Sequence, residues 1–155
     1  MFIESVAAAG TTFELSLARH AESLFGQESG SAGLWLAVLM AAVYLPFLGR
    51  QASRHFFGVE ASLPGLAAAG ILSVGLTFTV VCMADSSLTG LVPAGLHTLA
   101  VSLCTGVAIL LITSASAQAL SMGFGPSLGL QLVFWNIVLV ARLATSFLTD
   151  FWTHL

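Results

Sequence analysis

Asp85, His97, Asn136, Arg142 and Asp150 are the polar residues most able to do chemistry in this chain, because each lies inside or at the edge of a long apolar run. Arg142 is the most demanding of them. It sits in the stretch from Ser127 to Leu148, which holds no other Asp, Glu, Lys or Arg. An ionised side chain within a membrane span costs about 3 kcal/mol on insertion scales, so its presence asks for a role. Three roles fit: binding an anion or a quinone-like head group, latching helices together, or reaching the nearest lipid head groups by snorkelling.

Depth narrows the choice. At about 1.5 Å per residue, Arg142 lies roughly 23 Å along its run, about 7 Å short of the far boundary of a ~30 Å hydrocarbon layer. His97, counted from Leu91, lies about 9 Å from the same boundary. Ser146 and Asp150 follow Arg142 by four and eight residues and share its helical face, while Asp85 falls in the short connection from Ala84 to Gly90. The expectation is a cluster of Arg142, His97 and one aspartate near one membrane face. For His97 the plainer role is a packing residue or a helix–helix hydrogen bond. Asn136, about 14 Å along the same run as Arg142, is expected to bond to another helix, since lipid offers its amide no partner. It serves either packing or a transport pathway.

Other chemistries lack their residues. Neither GxSxG nor HExxH occurs, and no two carboxylates fall within the spans, which argues against hydrolysis and against proton-coupled transport through a buried acid. The histidines at 20, 55, 97 and 154 are scattered, with no HxxxH or CxxC pair, so neither a metal nor a haem site is expected. Gly123, Gly125 and Gly129 lack the Lys and Ser or Thr of a phosphate loop. Cys82 and Cys104 fall at different depths and are expected to be free thiols. The chain is expected to be no enzyme and to carry no cofactor.

The elements that position these residues follow from composition. Of 155 residues, 57% are hydrophobic and 7% charged, and mean hydropathy is +1.00; soluble domains carry about 25% charged residues. Lysine is absent and only four arginines face seven acids, so the dense cluster of cations that nucleic-acid binding needs is missing. Runs long enough to cross a bilayer as helices are found at about 31–48, 63–83, 91–113 and 127–148. They do not alternate apolar and polar residues as barrel strands do. The predicted fold is an all-α polytopic membrane protein, four transmembrane helices preceded by an amphipathic N-terminal helix.

Residues 1–30 form a separate segment with one Arg against four Glu, and no basic residue precedes Arg19, unlike a secretory signal. Phe2, Val6, Ala9, Phe13, Leu17 and Leu24 recur at helical spacing, which predicts an apolar face that docks on a partner or on the bundle. A frayed terminus is the alternative, because Gly10 interrupts the helix. Arg50, Arg54 and His55 place loop 49–62 in the cytoplasm and both termini in the periplasm by the positive-inside tendency, with Phe56 and Phe57 as interfacial anchors. Richness in Ala, Gly and Leu suggests a bacterial inner membrane.

Two stripes of small residues spaced by four, Gly65, Ala69 and Ser73 on the second span and Ala94, Thr98, Ser102 and Gly106 on the third, allow close helix approach. They are expected to face each other or a common partner. Besides the lipid bilayer, the expected partners are other membrane-protein subunits. The expected function is a non-catalytic subunit of a larger secretion, energy-transducing or transport assembly; the alternative is a small homo-oligomeric channel or transporter with a pathway near Asn136 and Arg142.

Overall fold

Ser31 and Ser62 stand just ahead of apolar runs, and each starts a helix by accepting a backbone N–H three residues on, from Leu34 and Gly65 at 3.2 Å. The computed structural model describes residues 2–28 and 30–153, and among these it contains five α-helices and no strand. They are α1 (Phe2–Phe25), α2 (Ala32–Phe57), α3 (Leu63–Leu88), α4 (Ala94–Ala119) and α5 (Phe124–Thr153). The side chains of Phe2, Glu4, Val6, Ala9 and Trp152, and all of His154, lie outside what is described.

Helices α2 to α5 are long and apolar enough to cross a membrane. All extend beyond the uncharged runs, because an apolar run marks the hydrocarbon layer rather than the helix. Thus α2 carries Arg50 and Arg54 and ends only where Gly58 takes φ 63° and Val59 N–H closes on the Ser53 carbonyl at 3.0 Å. Helix α5 begins three residues before Ser127, since Pro126 in its first turn lacks only an N–H that would be unpaired. Between α4 and α5 the chain turns through Ser121, a non-glycine residue at φ 51°.

Successive helices pack side by side, and α2 also packs on α5, closing a four-helix bundle. Its interior is small and partly polar, with Ala37, Ala41, Ala52, Ser53, Ser73, Thr77, Thr113 and Thr145 all buried. Large aliphatic and aromatic side chains such as Trp35, Leu39, Phe47, Leu103, Leu132 and Leu143 face outward. Water would drive the opposite arrangement; in lipid, close backbone approach through small residues is what holds helices together. The chain is an all-α polytopic integral membrane protein. The larger apolar cluster joins Leu45, Leu66, Ala69, Leu130, Phe134 and Ile137, and Gly49 and Gly129 let α2 and α5 meet: a Cβ on Gly49 would lie 2.8 Å from Phe134, and one on Gly129 2.5 Å from Phe57.

Helix α1 docks on the end of the bundle where α3 and α5 finish, contacting α2, α3 and α5. Its docked face in the described part runs through Phe13, Ser16, His20 and Leu24, with Ser16 fully enclosed. Leu17 of the expected apolar face is 42% exposed. The face is rotated because its seat on the bundle is polar.

Candidate functional site

The polar seat of α1 is built around Asp85. Helix α3 continues through Asp85 to Leu88, rather than ending at Met83, and so carries the carboxylate on its last turns with only 14% of the side chain exposed. From α1, the Ser16 hydroxyl donates to Asp85 Oδ2 at 2.7 Å and lies 3.3 Å from the Cys82 carbonyl. Arg19 Nη1 and His20 Nδ1 stand 3.8 and 3.9 Å from the same oxygen. From α4, His97 Nε2 is 3.8 Å from Asp85 Oδ1 and 3.4 Å from the Asp85 carbonyl. One carboxylate therefore gathers donors from two other helices.

Serine, histidine and aspartate meet here, yet not as a nucleophilic triad. His20 Nδ1 lies 2.8 Å from the Ser16 carbonyl and so carries the proton that it donates there. The Ser16 hydroxyl approaches that same nitrogen at 3.3 Å and is spent on Asp85 directly. A triad needs the imidazole between hydroxyl and carboxylate, one nitrogen for each. Ser16 is moreover 3% exposed, so no substrate reaches it. Among the described residues no group of three His, Cys, Asp or Glu side chains is placed to hold a metal ion. What the arrangement does is hold α1 and α4 each to the end of α3.

Arg142 stands apart from it. Its Nη1 donates to the Ser23 carbonyl at 2.9 Å, in the last turn of α1, where carbonyls lack helical partners and the helix dipole is negative. Gly26, at φ 65°, passes so close that a Cβ there would lie 3.0 Å from Arg142 Nε. Leu24 and Phe25 complete this contact against Ala41, Val138 and Ala141. Asp150 and Ser146, on the Arg142 face of α5, line a polar recess of about 470 Å³ with Gly26, Gln27, Glu28 and Ser31. The structure thus brings Asp85 to His97 and leaves Arg142 and Asp150 at a second point, both points lying under α1. Ser16, Arg19, His20 and Ser23 belong to the site and were not singled out as such from the sequence; the i, i+4 pair Ser16–His20 was the available signal.

Asn136 lies on the outer surface of α5, where its amide nitrogen donates to the Leu132 carbonyl of its own helix at 2.7 Å. It faces a groove between α2 and α5 rather than another helix. The unpartnered buried amide is instead Gln131, 3% exposed, and the hydroxyls of Ser73 and Thr77 are likewise buried without a partner. Of the small-residue stripes, Ala69 and Ser73 are buried and Gly65 half-buried, whereas Ala94, Thr98, Ser102 and Gly106 are exposed. Helix α4 packs mainly on α3, and its line of buried and half-buried residues is His97, Val101, Thr105, Ala108 and Ile112, bulkier than the exposed stripe. Cys82 is buried, Cys104 exposed, and both are free.

Site and fold together define a four-span helical membrane protein whose N-terminal helix is latched to one end of the bundle. Comparison with protein-family models, with characterised proteins and with solved structures gives no significant match.

Proposed function

We propose that the chain is a non-catalytic subunit of a larger membrane assembly in a bacterial inner membrane, with residues 49–62, the end of α2 and its connection to α3, in the cytoplasm and both termini in the periplasm. The observation that carries this reading is the outward stripe on α4. Only Ala108 and Thr113 of that helix are buried, and a Cβ on Gly106 would meet nothing within 4 Å. A flat line of Ala94, Thr98, Ser102 and Gly106 has little to offer lipid chains but admits another helix backbone closely, with two hydroxyls to bond across the contact. Such a surface suits a subunit seated against a neighbouring transmembrane helix. The polar site under α1 serves assembly, not turnover.

Purification of the tagged chain in mild detergent tests this. A second membrane protein in fixed ratio is expected, lost in Gly106→Leu while the helical content of the purified chain is unchanged. A second reading, the homo-oligomeric channel or transporter, is favoured by Asn136, whose exposed amide bonds only within its own helix and could bond further to another copy. Its pathway would run near Asn136, with Arg142 about 9 Å further along α5. Recovery of a homo-oligomer alone that conducts ions in liposomes decides for it.

A further inference from the structure

The end of the bundle opposite α1 holds two of the four arginines in the chain, Arg50 and Arg54, with His55 beside them. All three side chains are exposed. Arg54 Nη2 pairs with Glu60 at 3.0 Å, but with exposures of 57% and 80% such a pair is readily exchanged for another anion. Among the described residues no carboxylate pairs with Arg50.

Two grooves lead away from these cations. One, of about 870 Å³, runs between α2 and α5 from Arg54, His55 and Gln51 over Leu48, Val133 and Ile137 to Val140 and Asn136. The other, of about 500 Å³, runs along the opposite flank of α2 from Arg50 and Arg54 over Phe47 and Tyr44 to Val43. Leu48, Gln51 and Arg54, spaced by three, line both and form the ridge between them. From Arg54 back to Val43 the helix rises about 16 Å, close to half of a ~30 Å hydrocarbon layer. A head group held at the arginines therefore leaves an acyl chain with one leaflet's depth of apolar groove to fill.

We propose that this face is a binding site for one anionic diacyl phospholipid, its phosphate on Arg50 and Arg54 and one acyl chain on each side of the Leu48–Gln51 ridge. Charge complementarity selects the head group, since a basic recess between spans attracts anionic lipid. The paired grooves select a two-chain molecule over a free anion. Gln51 and His55 add donors to the phosphate and glycerol oxygens. Arg54 is shared by both grooves.

Native mass spectrometry of the full chain, extracted in a neutral detergent and supplied with phosphatidylglycerol or phosphatidylcholine, provides the test. About one phosphatidylglycerol per chain is expected to survive activation that strips phosphatidylcholine. The Arg50→Gln/Arg54→Gln pair is expected to bind phosphatidylglycerol roughly 30-fold more weakly, at about fivefold to sixfold per lost cation. The Arg50→Lys/Arg54→Lys pair keeps the charge and should retain most of the preference. Val140→Trp, which fills the wider groove and leaves both arginines in place, should weaken retention while the folded chain in detergent stays as stable as before. It also supplies the answer if the glutamine pair fails to insert. Equal retention of the two lipids, unchanged binding in the glutamine pair or unchanged binding in Val140→Trp each overturns the proposal. Displacement of phosphatidylglycerol by inorganic phosphate would reassign the site to a free anion and overturn the lipid.

Discussion

Arg142 was the conspicuous residue of the sequence, and its work is local: it closes the C-terminal end of α1 by bonding the Ser23 carbonyl. Replacing it with Gln removes a cation from the negative end of a helix and a charge-assisted hydrogen bond, a loss of about 1 kcal/mol at a solvent-exposed site. Hydrogen exchange of the α1 amides is expected to accelerate roughly fivefold in Arg142→Gln, with α2 to α5 unchanged. Asp85 has more to lose. Asp85→Asn keeps an acceptor for the Ser16 hydroxyl and forfeits the charge facing Arg19, His20 and His97; Asp85→Ala forfeits both. Limited proteolysis should therefore cut α1 faster in the order wild type, Asp85→Asn, Asp85→Ala. Depth counting along single helices put Arg142 and His97 at one level and predicted a cluster of both with an aspartate; His97 reaches Asp85, and Arg142 does not. It placed Arg142 in the same cluster, whereas the guanidinium bonds the Ser23 carbonyl, a partner that the sequence does not mark because every residue has one.

At the scale of elements, four spans were legible because hydrocarbon imposes a length of uncharged sequence, and Ser31, Ser62 and Pro93 mark where three of the helices begin. The ends were less so, since charged residues continue a helix into the interface at no cost. The pairing of α2 with α5 depends on glycines whose importance lies in what faces them. Phe134, 1% exposed within the apolar cluster, cannot move away from a Cβ on Gly49. Gly49→Ala is expected to destabilise by about 2 kcal/mol. Gly129→Ala should cost less, because Phe57 is only half-buried and its ring can swing outward; unfolding in mixed micelles with denaturing detergent measures both. Ser121 offers the opposite case. Its φ of 51° suits glycine, and Ser121→Gly should stabilise the α4–α5 turn by about 0.5–1 kcal/mol.

For the whole molecule, the sequence showed both small-residue stripes but not which one the fold would use. Spacing by four says that a backbone can come close; bulk on the neighbouring face decides whose. On α4 the bulkier residues from His97 to Ile112 meet α3 and turn the stripe outward. Ser102→Leu is accordingly expected to leave thermal stability of the isolated chain within about 0.5 kcal/mol, as surface changes do, while a tagged preparation loses its co-purifying subunit. Of the apolar face expected for α1, Phe13 and Leu24 turn to the bundle while Leu17 is exposed, because periodicity reports what is oily and the seat of α1 includes a carboxylate.

The order of synthesis gives that seat a further meaning. Helix α1 leaves the ribosome before α2 to α5, yet the groups that hold it come much later: Cys82 and Asp85 on α3, and Arg142 on α5. Until α5 has been made, α1 has only part of its berth, and docking of α1 reports that synthesis has passed through α5.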